Sequence, residues 1–156
     1  MNIIPLREQY LDETIQMTNA IFPEDVDAEW NPEKSFKISL QRNDLATLGY
    51  WILLNEGGEV IGVTGLYQRG NEDPKDLVWL GWYGVCADER GKGLGKELLE
   101  WTIEKARSEG YKRLRLYTST DPNEARAQEL YEKVGLKVVE EEKTDGDKIL
   151  YREMKL

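Results

Sequence analysis

An apolar run from Leu77 to Val85 empties through Cys86, Ala87, Asp88 and Glu89 into Arg90-Gly91-Lys92-Gly93-Leu94-Gly95-Lys96. In outline this is an anion site. Glycines at alternate positions 91, 93 and 95 let the backbone come close to a ligand. The segment that follows carries apolar or small residues at helical spacing: Leu94, Leu98, Leu99, Thr102, Ile103 and Ala106. A helix starting there directs its unpaired N–H groups at the glycine turn. The amides of Gly91, Lys92, Gly93, Leu94, Gly95 and Lys96 are the candidate donors, and the Lys92 and Lys96 ammonium groups the screening charges. A diphosphate suits such a set.

Two other phosphate loops are excluded by single letters. A Walker A loop ending at Gly95-Lys96 needs Gly at position 90 and Ser or Thr at 97, where Arg90 and Glu97 stand. The dinucleotide fingerprint needs Gly at 96, or Gly or Ala at 98, where Lys96 and Leu98 stand.

The pattern that does fit is [Arg/Gln]-x-x-Gly-x-[Gly/Ala], met by Arg90, Gly93 and Gly95. It resembles the coenzyme A pyrophosphate loop of the GNAT superfamily of N-acetyltransferases. A second part lies downstream, where Ala127, Leu130, Tyr131 and Gly135 resemble that superfamily's later helix, A-x-x-x-Y-x-x-x-G-[Phe/Leu]. The resemblance covers nearly the whole chain. It implies an α/β (α+β) domain with a mixed, mostly antiparallel sheet flanked by helices. It also implies transfer of acetyl from acetyl-CoA to a primary amine of a small molecule or peptide by direct attack, with no metal.

In that family acetyl-CoA lies where two parallel strands splay apart, here Leu77 to Val85 and Arg113 to Thr118. The resemblance then gives the backbone around Gly84, Val85 and Ala87 to the pantetheine arm, and the loop from Arg90 to Lys96 to the phosphates. The Val85 N–H is the candidate for polarising the thioester carbonyl, because a fixed donor aimed at developing negative charge lowers the barrier. Tyr131 is the candidate acid for the departing thiolate and also touches the cofactor. Without the resemblance, Val85 is ordinary strand core and Tyr131 a core-facing helical residue.

The chain departs from the family in two places. Many relatives carry a Glu about six residues before the Val85 position, where Trp79 stands here. The base is then a water chain, a carboxylate such as Glu24 or Asp25, or unnecessary if the amine arrives neutral; Asp76 is the nearest upstream acid. The Asn often found three residues before Ala127 is replaced by Glu124, with Asn123 one place early and still a candidate for the pantetheine. The missing Glu also keeps open a CoA-binding sensor or regulatory module that has lost turnover.

Histidine is absent and Cys86 is the single cysteine, so a Ser-His-Asp relay, an internal disulfide and the usual metal-ligand spacings are excluded. An acyl-enzyme on Cys86 would have no histidine to activate it. The balance of 30 acidic to 21 basic residues argues against a nucleic-acid binder. It favours a cationic small substrate, or simply keeps the protein in solution. No stretch approaches the roughly 20 apolar residues of a membrane span, and the expectation is a cytoplasmic protein without a membrane partner. The fold class is compatible with a homodimer, with no interface fixed by the letters.

These residues must be positioned by one domain over residues 1–156, a length that suits a single core. Leu11, Ile15, Thr18 and Phe22 predict a helix stopping at Pro23, and a shorter helix follows Pro32. The acidic stretch between them, holding Trp30, is either a plain connection or a substrate-facing loop. A meander follows: Tyr50 to Leu54, a Gly57-Gly58 turn, Val60 to Tyr67, a polar loop through Asn71 and Pro74, then one strand from Leu77 to Val85. A helical crossover makes Arg113 to Thr118 parallel to that last strand. Asp121, Pro122 and Glu124 predict a capped helix start with a capping box, and Gly135 its stop. Two strands around Asp145-Gly146-Asp147 close the chain.

Overall fold

The computed structural model describes residues 2–41, 49–70 and 74–156, apart from the side chain of Asn123. Asn71, expected in a polar loop, lies outside the described residues, as does the side chain expected at the pantetheine, that of Asn123. In chain order the elements are β1 (Asn2–Pro5), α1 (Leu11–Ile21), α2 (Pro32–Leu40), β2 (Gly49–Leu54), β3 (Val60–Tyr67), β4 (Leu77–Leu80), β5 (Gly84–Val85), α3 (Leu94–Ser108), β6 (Arg113–Ser119), α4 (Ala125–Val134), β7 (Lys137–Lys143) and β8 (Lys148–Lys155). The chain falls into two compact units, Met1–Tyr67 with Gly81–Thr102 and Gln68–Leu80 with Ile103–Leu156.

In the first unit β1, β2 and β3 form an antiparallel meander, and β5 adds to β3 with Val85 opposite Gly62. Both faces of β2 and β3 are buried, which is why their letters are almost continuously apolar. On one face Ile52, Leu54, Val60 and Val63 join Leu6 and Phe36, with Leu11 and Ile15 of α1 and Leu40 of α2 packed against them. On the other, Trp51 meets Trp101 of α3 at 5.6 Å between ring centroids, and the Thr64 and Thr102 hydroxyls bond at 2.7 Å. Gly62 allows this approach, since a Cβ there would lie 3.3 Å from Leu98 Cδ2. The buried hydroxyls of Thr14 and Thr18 are satisfied by carbonyls one turn back, each at 2.7 Å. Asn31 caps α2 by accepting from the Lys34 N–H at 2.8 Å.

In the second unit β4 runs parallel to β6, with Leu77 opposite Arg113, and β6, β8 and β7 continue as antiparallel neighbours. The β7–β8 hairpin turns at Gly146, whose φ of 86° only glycine adopts without strain. Gly135 ends α4 at φ 100°, as its position predicted.

Two expectations are corrected, and one strand has no counterpart among them. The strand from Leu77 to Val85 is broken: β4 ends at Leu80 and β5 begins at Gly84. Tyr50 packs against the break, its hydroxyl accepting from the Trp82 N–H at 3.3 Å and lying 2.5 Å from where a Cβ of Gly81 would stand, so that only glycine fits there. The Glu124 carboxylate, expected on the Asp121 N–H in a capping box, is turned elsewhere, and the Asp121 N–H donates to Ser119 Oγ at 3.2 Å. Pro122–Glu124 makes a single 3-10 turn, and the Glu124 carboxylate reaches back to the Ser119 N–H at 2.7 Å instead. Finally, Asn2–Pro5 is a strand that the letters gave no reason to expect, paired with Trp51–Leu54 of β2.

Candidate active site

Gly93 is the residue at which the glycine-rich loop becomes a helix. Its carbonyl accepts the Glu97 N–H at 3.1 Å, the first intrahelical bond of α3, so the N–H groups of Leu94, Gly95 and Lys96 belong to the turn that has no helical acceptor. Gly91 and Gly93 hold φ values of 83° and 80°, and no atom lies within 4 Å of a Cβ built on either. Their side of the loop is open, and backbone conformation, not crowding, requires glycine there. Arg90, Gly91, Lys92, Gly93 and Lys96 are all exposed, with Leu94 and Gly95 half-buried. Lys92 Nζ lies 2.8 Å from Glu89, whose hydrogen bond and charge raise the ammonium above its ordinary pKa, and Lys96 Nζ lies 3.8 Å from Glu100.

Gly84, Val85 and Ala87 lead into that loop within the same unit. The Cys86 N–H donates to the Ile61 carbonyl at 2.9 Å, while Val85 stands opposite Gly62. Successive N–H groups of an antiparallel strand point to opposite edges, so the Val85 N–H is turned away from β3. That is the orientation a donor to a ligand at the free edge of β5 requires. The Tyr83 hydroxyl donates to the Gly95 carbonyl and ties the start of α3 to this segment.

Tyr131 lies in the other unit, buried on α4. Burial, and then the Glu124 carboxylate, push its phenol well above the ordinary tyrosine pKa, with Arg152 opposing them. The hydroxyl therefore stays protonated throughout the physiological range, as an acid must be before it acts.

Trp79, at the place of the family's Glu, is almost fully buried. The Arg69 guanidinium stacks 3.8 Å from its ring centroid and that of Arg115 lies at 5.5 Å. Tyr117 and Tyr151 meet it edge-on at 6.4 and 6.3 Å. Asp76 pairs with Arg113 at 3.1 Å. Glu24 and Asp25 sit in a 3-10 turn after α1, and Trp30 beyond them is 60% exposed with Lys34 Nζ 4.8 Å from its ring. The three aromatic residues around the break separate: Trp79 joins this stack, Trp82 packs on Phe22 at 5.1 Å, and Tyr83 turns to Gly95. Among the described residues no group of three or more His, Cys, Asp or Glu could hold a metal ion.

Sequence reasoning missed the Tyr83–Gly95 bond and a buried arginine, Arg152, whose partners lie on the helix of Tyr131. The second had a signal: β8 alternation puts Arg152 on the face of Leu150 and Met154, where a charge is out of place.

A family model described as Acetyltransferase (GNAT) family matches residues 11–136. The spermine/spermidine N(1)-acetyltransferase of Bacillus subtilis (strain 168) is 33% identical over 100 residues, 62% of this chain, and the chain spans 65% of the length of the curated relatives it matches. A GCN5-related N-acetyltransferase from Kribbella flavida superposes with a TM-score of 0.82 at 14% identity, covering 99% of this chain and 97% of that one. The ribosomal-protein-alanine N-acetyltransferase of Brucella melitensis gives 0.78 at 21% identity, with all of both chains covered. These two likenesses establish the fold, mixed α/β with a largely antiparallel sheet. With most of its length matched by the family model, this chain belongs to the acetyltransferase (GNAT) family.

Proposed function

We propose that this chain is an acetyl-CoA-dependent N-acetyltransferase acting on a primary amine. The observation that carries this reading is the Arg90–Lys96 loop, with Gly93 closing the first turn of α3 and open space beside Gly91 and Gly93. The loop and its lysines hold the pyrophosphate, and the backbone of Gly84, Val85 and Ala87 pairs with the pantetheine arm. The Val85 N–H donates to the thioester oxygen as negative charge develops there. The amine nitrogen bonds to the carbonyl carbon, the carbon–sulfur bond breaks, Tyr131 gives its proton to the departing sulfur, and the proton that the nitrogen sheds returns through water to the phenolate. The Bacillus subtilis relative is named for spermine and spermidine, which supports an alkylamine on a small molecule as acceptor. The acidic balance of the chain agrees with a cationic acceptor. The same reading takes residues 1–156 as one catalytic domain working in the cytoplasm. No helix among the described residues is long and apolar enough to cross a membrane.

The test is CoA release from acetyl-CoA against a panel of spermine, spermidine, single amino acids and a peptide with a free N-terminus, with the product weighed by mass spectrometry. Amine-dependent release with a gain of one acetyl group is expected. CoA binding without release on any amine would favour a sensor, and no binding of CoA would end the reading.

A further inference from the structure

Arg152 is 6% exposed in the middle of β8. Its Nε donates to Gln128 Oε1 at 2.9 Å, and its Nη1 donates to Glu132 Oε2 at 2.6 Å and to the Leu136 carbonyl at 2.7 Å. A guanidinium is tolerated out of water only with partners of this kind. The helix partners come at regular intervals along α4. Glu124, at its N-cap, accepts the Ser119 N–H at 2.7 Å, and Gln128 donates to the Ser119 carbonyl at 2.9 Å. Residues 124, 128 and 132 thus make an i, i+4, i+8 stripe bonded to β6 and β8, and Tyr131 is the neighbour of its last member.

A helix bonded along one stripe does not roll about its axis. At a radius of about 6 Å a roll of about 10° moves a side-chain tip by about 1 Å. A displacement of about 1 Å in a reacting group can cost about a hundredfold in rate. We propose that Arg152 is a positioning residue for Tyr131: by gripping Gln128, Glu132 and the Leu136 carbonyl it fixes the roll of α4, and with it the place of the phenol hydroxyl. The inference rests on the acid role proposed for Tyr131. The Arg152 charge also opposes the rise of the Tyr131 pKa.

A clamp that served stability alone would affect catalysis equally with or without the phenol, and a double-mutant cycle separates the cases. Arg152→Met and Gln128→Met are made in the wild type and in Tyr131→Phe. Each is assayed with acetyl-CoA and the panel amine of highest turnover, with folding checked by circular dichroism. In the wild type, Arg152→Met should lower kcat about tenfold or more while KM for acetyl-CoA stays within about twofold. In Tyr131→Phe the same change should alter kcat by less than about twofold. Gln128→Met removes the Nε acceptor and the bond to the Ser119 carbonyl but leaves Arg152 its Glu132 and Leu136 partners; it should show a smaller loss with the same non-additivity, and decides the matter if Arg152→Met does not fold. Losses that multiply across the two backgrounds would overturn the positioning role and leave Tyr131 as the acid. Wild-type turnover in Tyr131→Phe alone would overturn the acid role, and the positioning role with it.

Discussion

The Tyr83 phenol donates to the main-chain carbonyl of Gly95, joining the residue just before β5 to the first turn of α3. The loop between them is thereby held at both ends, since β5 is itself bonded to β3. A hydrogen bond of this kind is worth about 1 kcal/mol, or about fivefold in an equilibrium. Tyr83→Phe keeps the ring and removes the bond. CoA affinity measured by calorimetry should fall about fivefold, while binding of pantetheine, which lacks the pyrophosphate, should not change. Equal loss for both ligands would show that Tyr83 does not act through the loop.

Gly93→Glu should be far more damaging, because it adds a side chain at φ 80° and a negative charge beside the unpaired amides of α3. A loss of CoA affinity of at least about a hundredfold is expected. Gly146→Glu is the control, at φ 86° in the β7–β8 turn with the same open surroundings. It carries the same backbone strain away from the loop and should leave CoA affinity unchanged. A folded Gly93→Glu protein that binds CoA like the wild type would remove the loop from the cofactor site.

Tyr131→Phe preserves packing and should lower kcat about a hundredfold or more, with acetyl-CoA affinity nearly intact. The sign of its pH dependence follows from burial. An acid must hold its proton, and the Tyr131 pKa is raised, so rising pH should not unload it. The rate should therefore show no basic decline up to about pH 10, where an ordinary tyrosine would be half ionised. A decline centred below that value, lost in Tyr131→Phe, would contradict the raised pKa.

The loop and α4 were legible in the sequence because local signals agree there: glycine spacing, helical period and the stop at Gly135 all describe the same turns. The break at Gly81 was not, because the residue packed against it, Tyr50, comes from a distant strand and the letters from Leu77 to Val85 read as one apolar run. Glu124 misled for a related reason. Its spacing from Asp121 suits a capping box, yet Ser119 offers both an N–H and a hydroxyl to the same carboxylate. Arg152 could have been noticed as a charge on the apolar face of β8, but its partners on α4 follow only from how the hairpin packs on that helix.

The route by which the acceptor loses its proton should be visible in pH profiles. Trp79 fills the expected base position beneath Arg69 and Arg115, Asp76 is engaged by Arg113 at 3.1 Å, and the chain has no histidine. Transfer to water, or binding of an amine already neutral, then remains the favoured route over the loop carboxylates Glu24 and Asp25. Under the neutral-amine route kcat/KM rises with pH toward the pKa of the free amine, about 10 for an alkylamine like that of lysine. Replacing the acceptor by one that is less basic should move the rising limb down by the same amount, because only the fraction of neutral amine has changed. The measurement is a set of kcat/KM profiles for acceptors of graded basicity, repeated in Glu24→Gln and Asp25→Asn. A limb that stays at one pH across the acceptors and disappears in either variant would place the base in the turn after α1 instead.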